Sequence, residues 1–184
     1  MGFPDIFYLS KCDNIYMDLR AEILKEHSKA QCLKIVAWVA DDKKRFKELL
    51  QLFLNDEYRV VQRAAWMISL VAEEQPQLIE PHLKVIVNKM SEPGVHVAVK
   101  RNVARILQFI SIPEDMQGIV MNTCFELLSD PKETIGVRVF SMTILANLSK
   151  IYPDIKHELK VIVDDVMEQG ASAGFKARAR NLKL

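Results

Sequence analysis

The side chains able to do chemistry in this chain are few and scattered. Four histidines, His27, His82, His96 and His157, stand alone, and none belongs to the HxxxH or CxxC spacings that grip a metal ion. Cys12, Cys32 and Cys124 are odd in number and far apart, matching neither a disulfide framework nor a zinc knuckle. Carboxylates are adjacent at Asp41-Asp42, Glu73-Glu74 and Asp164-Asp165. Consecutive residues on a helix diverge by about 100°, so such neighbours rarely share a proton or an ion. Asp42 reads better as a helix cap. No serine has a histidine beside it in a nucleophile motif, and a chain with six glycines holds no glycine-rich phosphate loop. Cys32 and Cys124 occupy positions otherwise taken by apolar residues, which favours buried small hydrophobes over nucleophiles. These residues imply a non-enzymatic protein with no catalytic residues, no metal and no cofactor.

Composition narrows the class further. Of 184 residues, 49% are apolar and 27% charged, and 25 Lys plus Arg stand against 24 Asp plus Glu. A chain of this size buries about two-thirds of its unfolded surface as one domain. Its near-neutral charge does not announce a polyanionic partner. The first ten residues lack a basic stretch, and their apolar run, Ile6 to Leu9, is too short for a signal peptide. No later run approaches the roughly 18 residues of a membrane span. The expectation is a cytoplasmic protein with no membrane association.

The elements that position these residues are announced by a duplication. "LKVIV" occurs at Leu83 to Val87 and again at Leu159 to Val163, 76 residues on, and Gly94 and Gly170 keep the same offset. Half of that offset is a period. From Val61, steps of 38 land on Val99, Val137 and Phe175, and an upstream step of 29 reaches Cys32. Four residues after each lie Val36, Ala65, Val103, Ser141 and Ala179; seven after lie Val39, Ile68, Ile106, Ile144 and Leu182. Apolar or small residues at i, i+4 and i+7 line one helix face. A second helix follows in each unit, with stripes Phe46, Leu50, Phe53 and Leu54; Ile79, Leu83, Ile86, Val87 and Met90; Met116, Val120, Thr123, Cys124 and Leu127; and Ile155, Leu159, Ile162, Val163 and Val166. Pro76, Pro113 and Pro153 precede second helices, where a missing N–H is harmless. Asp130, Pro131 and Glu133 read as N-cap, N1 and N3 of the fourth unit's first helix. Ahead of the units, Asp13 reads as the cap of a helix from Asn14 to His27, with Tyr16, Leu19 and Ile23 inward.

A helix pair of this kind cannot bury its stripe alone, so neighbours must stack and share a core. The stretches "VVQRAA", "VKRNVA" and "VRVFS" each place a basic residue within two positions of an apolar one and then small or apolar residues. In this the chain resembles the HEAT repeat family. The resemblance covers about residues 29 to 184. It implies an all-α, right-handed α-α superhelix of about four helix pairs with terminal capping helices. Residues 1–28 would form an N-terminal arm and capping helix, and residues 29–184 a repeat domain ending in a half repeat, Ala171 to Leu184. Among similar proteins, HEAT-repeat hydroxylases build a di-iron centre from recurring His-Glu pairs, whereas here His157-Glu158 occurs once.

The function this implies is a scaffold that binds a protein or peptide through the surface lined by the second helices. Projection at 100° per residue places Leu52, Lys84, Val85, Met121, Phe125, Lys160 and Val161 on that surface, apolar centres among polar groups. An alternative is nucleic-acid binding, because alkylpurine DNA glycosylases resemble stacked HEAT-like units. A basic column, Lys34, Arg63, Lys100, Arg101, Arg138 and Lys176, runs along the first helices, but long basic stems also cover apolar surface between helices. Trp38, Trp66, Met67 and Leu70 fall off the core columns and read as an apolar area. Phe3, Ile6, Phe7 and Tyr8 of the arm could cover it.

Overall fold

The computed structural model describes residues 17–184. Among them every regular element is a helix. In chain order they are α1 (Leu19–Lys25), α2 (Lys29–Val39), α3 (Lys43–Asn55), α4 (Tyr58–Glu74), α5 (Pro76–Ile79), α6 (Leu83–Met90), α7 (Val97–Leu107), α8 (Glu114–Ser129), α9 (Ile135–Leu148), α10 (Ile155–Glu168) and α11 (Ala173–Leu182). A short 3-10 turn, Glu80–His82, joins α5 to α6.

Local chemistry accounts for these boundaries. Asp42 caps α3 as expected, its carboxylate accepting from the Lys44 and Arg45 amides at 2.7 and 3.2 Å. Phe46, Leu49, Leu50 and Phe53 then form a stripe at i, i+3, i+4 and i+7, and all four are buried. Ser28 and Ser172 cap α2 and α11 in the same way. Gly94 and Gly170, the pair 76 residues apart, both adopt positive φ, 71° and 90°. Each sits in the turn after an equivalent second helix, where a Cβ would force strain. The repeat is therefore one of backbone conformation as well as of side chains.

Stacking produces two unequal layers. First helices α2, α4, α7, α9 and α11 pack each against the next in a continuous row. Second helices α3, α6, α8 and α10 pack against first helices, and α8 also packs on α10. The predicted first-helix columns are buried from Cys32, Val36 and Val39 through to Phe175 and Ala179, with only Leu182 half-buried. Helix α1 covers the open end, packing on α2, α3 and α4. This is an all-α, HEAT-like repeat solenoid.

Four expectations need correction or limits. The expected cap Asp13, with Asn14, Tyr16 and the arm residues, lies outside the described residues; α1 itself starts later, at Leu19, because Asp18 accepts from the Ala21 amide at 3.0 Å. Asp130 and Pro131 form a turn, Asp130 accepting from the Lys132 amide at 2.8 Å, and α9 begins only after Thr134. The second unit's second helix is broken at Glu80–His82, where Pro81 supplies no amide hydrogen. Met67 is fully buried, and Trp66, Trp38 and Leu70 are half-buried. First helices lie between two neighbours, so they need a second apolar flank beyond the stripe that faces the second helices. His27 meets Trp66 edge-on at 5.7 Å between ring centroids, and Arg45 lies over Trp38.

Candidate functional site

The basic column is largely consumed by the fold. Arg63 Nη1 donates to the carbonyls of Ile23 and Leu24 at 2.9 and 2.8 Å, closing the last turn of α1. Arg138, itself buried, donates from Nε to the Leu128 carbonyl at 2.8 Å and lies over the Phe175 ring. Lys34 pairs with Glu22, and Lys100 with Glu133. Outside the column, Arg45 and Lys89 donate to the Trp38 and Leu54 carbonyls at 2.7 and 2.8 Å. A cation at a helix C-terminus satisfies orphan carbonyls and opposes the negative dipole end. Of the column, Arg101 and Lys176 have no polar partner among the described residues.

Titratable groups are placed for structure. His96 caps α7, its Nδ1 accepting from the Ala98 amide at 3.0 Å, and its ring meets Tyr58 edge-on at 5.0 Å. His82 packs against Phe46, while His157 is exposed on α10. Burial pushes the Cys32 thiol up to about 11 and the Cys124 thiol up to about 12, away from thiolate chemistry at neutral pH. Hydrogen bonds from Lys34 and Gln31 pull the Glu22 carboxyl down to about 2. No group of three or more His, Cys, Asp or Glu among the described residues is arranged to hold a metal ion. No described helix is long and apolar enough to cross a membrane.

The expected partner surface is spread over four helices. Leu52 lies on α3, Lys84 and Val85 on α6, Met121 and Phe125 on α8, and Lys160 and Val161 on α10. Lys84, Val85, Lys160 and Val161 are exposed, the valines at 43% and 53%. Leu52, Met121 and Phe125 are half-buried and pack against the core. Helices α8 and α10 are in contact, so Met121, Phe125, Lys160 and Val161 lie on adjacent helices, whereas Leu52 and the α6 pair lie on helices that pack against first helices. Lys160 faces Asp164 at 3.6 Å. The stripe reading missed Ile119 of α8, exposed at 53%; its place one residue ahead of the buried Val120 was the available signal.

Three cavities lie at the edges of the first-helix row, and none is lined by the seven expected residues. One of about 350 Å³ is lined by the 107–112 segment with Gln117, Asn147, Leu148 and Ile151. Its polar groups satisfy one another: Gln117 Nε2 donates to the Ile112 carbonyl, Tyr152 to Gln117 Oε1, and Asn147 Nδ2 to the Gln108 carbonyl. A second, of about 550 Å³, is lined by Leu24, Glu57, Tyr58 and Arg59. A third, of about 440 Å³, lies between the first turns of α7 and α9 beside Gln62 of α4.

No curated protein and no solved structure matches the chain. The HEAT repeat domain family matches residues 19–183, a span that starts at α1 and runs through α11. Helix pairs with a 38-residue period, stacked in a continuous first-helix row and matched over nearly their whole length, place this chain in the HEAT repeat family.

Proposed function

We propose that this chain is a non-enzymatic scaffold that binds a protein or peptide through the outward faces of its second helices. The observation that carries this reading is the pattern on those faces. Val85, Ile119 and Val161 are exposed on successive second helices that also expose Lys84, Asn122 and Lys160, so each face mixes apolar with polar groups. The half-buried Leu52, Met121 and Phe125 add edges of apolar surface without loosening the core. Nucleic-acid binding through the first-helix basic column is the weaker reading, since Arg63 and Arg138 serve helix carbonyls and Lys34 and Lys100 serve carboxylates. The proposed setting is the cytoplasm.

Affinity purification with mass spectrometry tests this, comparing the wild-type chain with Lys84→Glu combined with Asn122→Asp. Changing charge on these faces is expected to weaken partner recovery about tenfold, the factor that corresponds to 1.4 kcal/mol. Equal recovery by the variant would remove the second-helix surface from consideration.

A further inference from the structure

The chain holds nine arginines, and six of them have acceptors: Arg20, Arg45, Arg63, Arg105, Arg138 and Arg178. Arg59, Arg101 and Arg180 have none among the described residues. Two of these three line neighbouring cavities. Arg59 lines the cavity between α1 and the start of α4, and Arg101 lines the one between the starts of α7 and α9. The edge-on contact of Tyr58, which lines the first, with His96, which lines the second, sets the two cavities side by side along a trough.

The trough has a chemical character of its own. Tyr58 and Ile135, exposed at 63% and 41%, supply apolar floor. Gly136 leaves the space that the Arg101 stem occupies, since a Cβ there would meet Arg101 Cδ at 3.2 Å. The Arg101 stem therefore packs against the first turn of α9, and the residue as a whole is exposed. Beyond it, a Cβ added to Gly174 of α11 would meet Ile135 Cγ2 at 3.9 Å. The nearby carboxylates are engaged: Arg20 binds Asp56 at 3.0 Å and Glu57 at 3.2 Å. The unmet charge is positive, whereas the polar groups of the cavity lined by Gln117 and Asn147 are paired with one another.

We infer that this trough docks an extended peptide carrying acidic side chains among apolar ones. It crosses α1, α4, α7 and α9, three steps of about 8–10 Å each, the length of roughly eight extended residues at about 3.3 Å apiece. Carboxylates of the peptide pair with Arg59 and Arg101, where planar guanidinium groups favour bidentate contact, and its apolar side chains rest on Tyr58 and Ile135. Two free guanidinium groups separated by apolar floor suit such a peptide better than a phosphate backbone, which calls for a denser run of cations. This surface is separate from the second-helix faces, and either can fail without the other.

A displayed library of random 12-residue peptides, selected on the intact chain, is the test. Selection is expected to enrich peptides with Asp or Glu between aromatic or aliphatic residues. Fluorescence anisotropy on an enriched peptide should then show Arg59→Glu and Arg101→Glu each weakening binding about tenfold. Arg180→Glu, in the last turn of α11 and away from both cavities, controls for net charge and should leave binding unchanged, as should Lys84→Glu. Unaltered circular dichroism and melting of the variants separate docking from folding. The inference is overturned if nothing acidic is enriched, if Arg180→Glu weakens binding as much as Arg101→Glu, or if a fluorescein-labelled dT20 strand binds at Arg59 and Arg101 more tightly than any enriched peptide.

Discussion

The two helical layers differ in what holds them. First helices α2, α4, α7 and α9 touch neighbours on both flanks, and the interfaces along the row carry small residues and a few polar pins. Ser69 and Asn102 are buried between α4 and α7, with Ser69 Oγ 2.8 Å from the Trp66 carbonyl oxygen and 3.3 Å from Asn102 Oδ1, and Asn102 Nδ2 donating to the Ala98 carbonyl. Toward the other end, Arg178 of α11 donates to Gln108, the C-cap of α7, and to Thr143 of α9, bracing three helices. Second helices bury one stripe and leave the opposite face to solvent. Interior is thus shared along the first-helix row, and the second helices are free to vary on the outside without loss of the stack.

The largest break in this contrast should come from the row itself. Ile106 is fully buried in α7, and Ile106→Ala is expected to cost about 2–5 kcal/mol in urea unfolding, whereas Val161→Ala on the outer face of α10 should stay within about 0.5 kcal/mol. Equal losses would mean that the layers carry equal loads. Next in size is Arg138. Removing it leaves the Leu128 carbonyl without its charged donor and strips cover from Phe175, so Arg138→Ala should destabilise by about 2–3 kcal/mol. Lys84→Ala, a basic residue with no partner among the described residues, should change stability little. A loss smaller than those at Ile106 and Arg138 is expected at the repeated turn. Gly94→Ala and Gly170→Ala should each lose about 1 kcal/mol through left-handed strain alone, since no atom lies within 4 Å of the added methyl group. A loss at one glycine and not at the other would show that the two turns are not energetically equivalent.

Much of the architecture was legible in the residues because it is encoded locally. A 38-residue period, an i, i+4, i+7 stripe, an aspartate ahead of α3 and two glycines 76 residues apart each state a backbone preference that neighbours in sequence can satisfy. Where reading stopped was at the second flank of the first helices. Met67 falls off the stripe and looks exposed until α4 is placed beside its neighbours, when it is fully buried. Start points misread at Asp130 and Pro131 have a related cause, because an Asp-Pro pair signals a turn and a helix start alike, and only the Lys132 amide donating to the Asp130 carboxylate, with α9 starting after Thr134, decides between them.

Sequence alone determined the period, the helical class and the membership of most core columns, since these follow from spacing along one chain. Tertiary structure decided which cations are spent and which remain. Arg63 and Arg101 occupy the same step of the repeat, 38 residues apart, yet one closes the end of α1 and the other lies free over Gly136. Only the packing of α1, α4, α7 and α9 brings Arg59 and Arg101 to neighbouring cavities, because the distance between helices is set by side chains meeting across layers and not by any preference written into a single helix.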